Sequence, residues 1–241
     1  SNDIAQVELI TNPGAEYDAT VQAVLKIKTV KRKGDGVSGY VNAYGSEGHR
    51  FSSREQLNLN YRKNRFDLFA SVAYLSGRQK QEQHTVQYAY LDTLWRSQGA
   101  MEMLTHRKNL NAQAGMNYEI GKDQSAGLRY DYTDVQAIFA NEALFDALLT
   151  TNAQNLTQKK HRLNAYYTAL FSDRWSIDFN FDQLTGWNKR KQEIEETGRE
   201  SADRNLHTVN RMNDYLYAYK LVLGYMPPSL EIKAGHEFSF I

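Results

Sequence analysis

Phe66-Asp67-Leu68-Phe69-Ala70-Ser71-Val72-Ala73-Tyr74 puts Phe66, Leu68, Ala70, Val72 and Tyr74 on one side of an extended chain. Asp67, Phe69, Ser71 and Ala73 fall on the other, because successive side chains of a strand point to opposite faces. The same period-2 pattern continues on either side of this stretch. It places Leu57, Leu59 and Tyr61 against Gln56, Asn58 and Asn60, and Leu110, Ala112, Ala114, Met116 and Tyr118 against Asn109, Asn111, Gln113 and Asn117. It returns at Ala126–Tyr132, Leu163–Phe171, Trp175–Phe181, Tyr215–Tyr225 and Leu230–Phe240, with a weaker strand at Val37–Tyr44. About nine strands follow residue 35, most of them expected to run close to ~9–11 residues, the length that crosses a bilayer when tilted.

The connections alternate in length. Lys63-Asn64, Gly121-Lys122-Asp123, Ser172-Asp173-Arg174 and Pro227-Pro228-Ser229 read as tight turns. The stretches around 47–51, 77–106, 136–161 and 186–207 read as longer polar loops. Short turns at one end of a meander and long loops at the other are the build of an outer-membrane barrel; a soluble sandwich mixes loop lengths at both ends. Tyr61, Phe66, Tyr118, Phe171, Trp175 and Tyr225 sit beside the four tight turns, where a membrane barrel carries an aromatic girdle. Within the loops, Phe139–Leu149 has helical spacing at Leu144, Phe145 and Leu148 and is expected to form a short helix. Lys189–Arg204 is expected to be a solvated mixed-charge loop.

Composition narrows the function classes. The 241 residues hold 29 Lys+Arg and 28 Asp+Glu, a net charge of +1, which gives no basic footprint for nucleic acid. With no cysteine there is no disulfide, thiolate metal site or cysteine nucleophile. The mean hydropathy of −0.66 is low, as expected where every second residue of a strand faces water. The longest apolar run is far short of the roughly 18 residues of a membrane helix. His49, His84, His106, His161, His207 and His236 are scattered singly, without a His-x-x-x-His pair, and Glu193, Glu195 and Glu196 lie in the mixed-charge stretch. No phosphate-binding glycine loop or nucleophile elbow occurs. The expectation is a protein that is not an enzyme, with no catalytic, cofactor-binding or metal residue and no cofactor.

Residues 1–35 read differently. Ile4–Thr11 is a strand, Asn12-Pro13-Gly14 a turn, Val24–Thr29 a second strand, and Lys31–Gly36 a polar linker. Ile-Thr-Asn-Pro-Gly-Ala-Glu-Tyr-Asp-Ala at 10–19, followed by Ala-Val-Leu-Lys-Ile-Lys-Thr at 23–29, resembles the end of the plug domain in TonB-dependent outer-membrane receptors of the outer membrane protein beta-barrel family. Thr20-Val21-Gln22-Ala23 stands where that family usually has glycines. The resemblance implies that residues 1–35 are the C-terminal end of a plug and its linker, and that 36–241 are the N-terminal part of a transmembrane β-barrel. Plugged transporters have 22 strands, so about nine strands would be roughly two-fifths of one, a fragment of a nutrient-uptake receptor in the outer membrane. The resemblance further implies contact with membrane lipid, an unidentified extracellular ligand, and a TonB complex reached through the full-length receptor and not through this segment. Glycan, siderophore, cobalamin and peptide all remain open as ligands. The alternative is a small stand-alone barrel acting as an adhesin or structural protein, with a soluble all-β binding domain as a more distant third.

Overall fold

The computed structural model describes residues 4–10, 23–29, 34–90, 92, 94–171, 174–198 and 203–241. The fold is all-β. β1 (Ile4–Ile10) and β2 (Val24–Thr29) form an antiparallel pair of their own, where the two short N-terminal strands are expected. The Asn12-Pro13-Gly14 turn, the greater part of the resembling stretch at 10–19 and the basic residues of the linker lie outside the described residues.

From Gly36 onward the chain makes one nine-stranded sheet: β3 (Gly36–Glu47), β4 (Phe51–Lys63), β5 (Phe66–Tyr90), β6 (Leu94–Glu119), β7 (Gln124–Phe145), β8 (Leu148–Phe171), β9 (Trp175–Gly198), β10 (Arg204–Tyr225) and β11 (Ile232–Phe240). Their order in the sheet is their order in the chain, and every neighbouring pair is antiparallel. This is the up-and-down meander that the alternation predicts. The sheet is not closed: β3 forms one edge and β11 the other. The strands are staggered as they are in a barrel wall. The row pairing Phe66, Tyr118, Ala126, Tyr167 and Phe179 starts at the first residue of β5, yet meets β9 four residues (179 − 175 = 4) inside its start.

Four expectations fail together. β5 to β10 run for 22 to 26 residues each, more than twice the expected length. The polar stretches taken for long loops are the upper halves of paired strands, in register to Tyr90↔Leu94, Phe145↔Leu148 and Glu196↔Arg204. Hence the far connections are short as well. The helix expected at Phe139–Leu149 does not form, because Phe139–Phe145 completes β7 and Leu148 begins β8, with a turn at Asp146-Ala147. The loop expected at Lys189–Arg204 is strand through Gly198. In these upper halves neither face is consistently apolar, with Ile138 and Leu144 on one face of β7 and Phe139 and Phe145 on the other, so the ladder of backbone hydrogen bonds persists after the period-2 hydrophobic signal has vanished.

A single sheet has no second layer to pack on. Only Val135, Ala137, Ala169, Gly224 and Ser97 are buried among the described residues. Large apolar side chains such as Leu59, Phe66, Val72, Trp175, Leu223 and Phe238 stay exposed. Paired residues share a face, so the register decides which face these occupy. It puts all six aromatics beside the tight turns on one face, with Phe66 against Tyr118 and Trp175 against Tyr225, both at 4.5 Å between ring centres.

Candidate functional site

The two faces of the lower sheet differ in charge. Along the face that carries the aromatics, β5 presents Phe66, Leu68, Ala70, Val72 and Tyr74, and β6 presents Tyr118, Met116, Ala114, Ala112 and Leu110. β7 adds Ala126, Leu128, Tyr130 and Tyr132; β9 adds Trp175, Ile177, Phe179 and Phe181; β10 adds Tyr225, Leu223, Leu221, Tyr219 and Tyr217. Among the residues just named, and from Leu163 to Phe171 on β8, that face carries no Asp, Glu, Lys or Arg. On β5 to β10 its first charges are Arg78, Lys108, Asp134 (the partner of Leu110), Lys159, Lys189 and Arg211, while β4 carries Lys63 and Glu55 on that face, opposite Phe66 and Tyr74. Eight residues of strand (74 − 66 = 8) at ~3.3 Å each, tilted by ~40°, make a band about 20 Å tall. A second tier of rings closes it, with Tyr132 stacked obliquely on His161 at 5.0 Å and the Tyr130 hydroxyl 2.6 Å from His161 Nδ1.

The opposite face of the same stretch is a polar wall. Arg129 holds both carboxylate oxygens of Asp131, at 2.8–3.1 Å. Asn164 Nδ2 donates to Asn180 Oδ1 at 2.8 Å and to Asp182 Oδ1 at 2.9 Å. The Tyr166 hydroxyl donates to Asn117 Oδ1 at 3.0 Å, Ser125 and Thr168 share a hydrogen bond of 2.8 Å, and Lys160 pairs with Asp214 at 3.3 Å. Two rings lie flat on this wall because glycine stands opposite each. A Cβ on Gly115 would overlap the Phe69 ring, and one on Gly127 would overlap Tyr166. Between the strands the wall opens a cavity of about 220 Å³ lined by Ser71, Asn111, Gln113, Asp131, Thr133 and Arg162. Both signs of charge and many donors and acceptors line it, which suits contact with water and polar solutes.

Above the band the sheet has a step. β4 pairs with β5 only from Lys63↔Phe66 to Ser53↔Ser76, while β5 climbs on to Tyr90 beside β6. At the foot of the step is a cavity of about 520 Å³ lined by Glu47, His49, Arg50, Ser52, Arg78 and Gln79, among others. Lys80 lines it too, with its Nζ 2.8 Å from both the Glu82 and Glu102 carboxylates. Those bonds hold the lysine's pKa above its ordinary value and that of Glu82 below. On the outer side of the neighbouring strands Glu102, Glu142, Glu193 and Glu195 line another cavity, of about 410 Å³. Among the described residues no group of three or more His, Asp or Glu is arranged to hold a metal ion.

Sequence reading finds the two faces but not the step. Arg50 and Arg78 look like members of polar loops until the register shows β4 stopping short of β5. Of the six histidines, the fold brings His161 together with Tyr130 and Tyr132, and stacks His236 on Tyr219 at 5.5 Å.

No family model matches the chain, and no curated protein matches it. Among solved structures it is similar to the CymD monoaromatic hydrocarbon channel, at 13% identity and a TM-score of 0.31, with 99% of this chain and 81% of that one covered. It is also similar to the siderophore receptor PiuA from Acinetobacter baumannii, at 10% identity and a TM-score of 0.31, with 92% of this chain covered. The chain spans about half (48%) of that receptor's length. At identities and TM-scores this low, the likeness decides nothing about what this chain carries.

Proposed function

We propose that the chain is a wall segment of an outer-membrane transport barrel, with no catalytic role. The observation that supports this is the uncharged band on β5 to β10: apolar on one face, ringed by aromatics at the tight turns, backed by a charged and hydrogen-bonded face, and covered by none of the described residues. In water such a band is an aggregation hazard; in a bilayer it is the lipid-facing surface, with the polar wall lining a hydrated interior. The tight turns then face the periplasm, and the upper halves of β5 to β10 stand outside the cell. In the finer reading, this is a TonB-dependent receptor for nutrient uptake, residues 1–35 end its plug, and TonB engages a part of the receptor outside this segment.

The absence of cysteine makes the coarse reading directly testable. Single cysteines replace Val72, Ala112 and Ile177 in the band and Ser71, Asn111 and Asp178 on the wall, in protein reconstituted into phosphatidylcholine vesicles. Fluorophores at the band positions should be quenched by nitroxide lipids, and those at the wall positions by aqueous iodide. Equal quenching at neighbouring positions would sink the membrane reading. For the finer reading, the full-length protein should co-isolate with the periplasmic domain of TonB; failure to do so favours the stand-alone barrel.

A further inference from the structure

The step between β4 and β5 leaves a strand edge inside the chain without a neighbour. Beyond Ser76, β5 is hydrogen-bonded to β6 on one side and, among the described residues, to no strand on the other. Alternate residues of a strand direct both N–H and C=O to the same side. Arg65 C=O accepts from Glu119 N–H on the β6 side, and Arg78 N–H donates to Ser52 Oγ, at 3.2 Å, on the β4 side. The even-numbered residues Lys80, Glu82, His84, Val86, Tyr88 and Tyr90 therefore aim their backbone groups at the vacant side. The Ser52 hydroxyl fills the first rung where a strand would have continued.

We infer that this edge binds an extended peptide by strand addition, antiparallel to β5, with the peptide's C-terminal carboxylate in the cavity at the foot of the step. Charge fixes the direction. Arg50, Arg78 and Lys80 line the foot together with Glu47; Lys80 is taken up by Glu82 and Glu102, whereas neither arginine pairs with an acid among the described residues. An antiparallel strand descends toward the foot and delivers its carboxylate there, while a parallel one would bring its ammonium group among these cations. Backbone bonds along the edge supply affinity without dictating sequence, and the two guanidinium groups select a free carboxylate terminus. A second copy in the same membrane is excluded as occupant, because its β5 also points upward and a two-fold axis along the membrane normal cannot make a symmetric ladder of two parallel strands.

The inference rests on the membrane reading only for the side on which the edge lies. The probe is an N-terminally fluorescein-labelled (Thr-Val)4 octapeptide, as free acid and as C-terminal amide, titrated against the full-length protein in detergent and followed by anisotropy. The acid should bind saturably and the amide at least tenfold more weakly. N-methylation of the peptide residues facing β5 should abolish binding, and methylation of the alternate set should not. Arg50→Gln with Arg78→Gln should erase the difference between acid and amide. His84→Pro with Val86→Pro removes two edge donors without touching the β5–β6 ladder and should abolish binding of both. Heat-modifiable gel migration confirms that each variant is folded. No binding, equal binding of acid and amide by the unmodified protein, or insensitivity to N-methylation overturns the inference. Failure of the membrane reading shows separately, as aqueous quenching at position 72.

Discussion

Gly115 and Gly127 carry the lower wall at the level of single atoms. Each stands opposite an aromatic residue, Phe69 and Tyr166 respectively, and the missing side chain is the space into which the ring folds. Such glycine–aromatic pairs offset the weakness of glycine in a strand by covering its bare backbone. Gly127→Ala should cost about 1–3 kcal/mol, the range for overpacking a filled site, read from urea unfolding in vesicles. In a Tyr166→Ala background the same change should cost far less, since the ring it strikes is gone; additive costs would show that the pairing is incidental. His106 gives a second prediction at this scale. Desolvation, then the charges of Arg78 and Lys108, hold its pKa below the ordinary 6.5. A depressed histidine favours the neutral folded form, so its contribution to stability is complete above pH 6.5 and is lost as the pH falls toward the folded value. An NMR titration of its ring should give a midpoint under 6.5 that rises in Arg78→Gln; a midpoint at or above 6.5 contradicts the assigned causes.

At the scale of elements, the tip of the β7–β8 hairpin shows why a locally helical stretch becomes two strands. Asp146 takes a φ of 51° at the turn. Its carboxylate accepts from the Ser97 hydroxyl at 2.7 Å and the Gln98 N–H at 3.2 Å, and its own N–H donates to Gln98 C=O at 3.0 Å. These bonds tie the turn to β6 and fix the register in which Leu144 and Phe145 fall on opposite faces, so the helical spacing of Phe139–Leu149 is never used. The hydroxyl and the N–H hold the pKa of Asp146 below its ordinary value. Its contribution is thus fully present above about pH 4 and is lost as the pH falls through the folded value. Asp146→Ala should speed amide exchange at Gln98 and at position 146 while leaving Gln113 protected, and the same opening should appear in the unaltered protein at low pH. Exchange unchanged at the tip would mean that strand pairing alone holds it. The sequence is legible where one face of a strand is apolar, from Val37 to Phe240 in the lower sheet. It is opaque in Gly77–His106, where Gln79, Gln81 and Gln83 alternate with Arg78, Lys80 and Glu82 and only pairing with β6 reveals a strand. The step, and with it the edge of β5, is a difference between the lengths of two hairpins, which no local pattern encodes.

For the whole molecule, stability depends on what surrounds the sheet. Five buried residues, two of them alanine and one glycine, do not make a core, and the free energy that a globular domain gains by burying apolar area internally must here come from whatever covers the band, which on the proposed reading is the bilayer. A charge on the band should then cost what it costs at the middle of a bilayer, and the same charge one residue away should cost little. Val72→Arg lies inside the band on β5, between its middle at Ala70 and its edge at Tyr74, and should lose up to about 2–4 kcal/mol of folding free energy in vesicles. Ser71→Arg, its neighbour on the wall beside Gln113, should lose less than about 1 kcal/mol, because that face already holds Arg129, Asp131 and Arg162 among hydrogen-bonding partners. A soluble sheet covered by a protein partner would also penalise Val72→Arg, so the depth dependence separates the two cases. Moving the arginine up the same face, from position 72 to 74 to 76, should lower the penalty stepwise toward zero as it approaches Arg78, the first charge that the chain itself places there. A penalty that stays level along this series would mean that the band is covered by a partner of uniform depth and not by lipid.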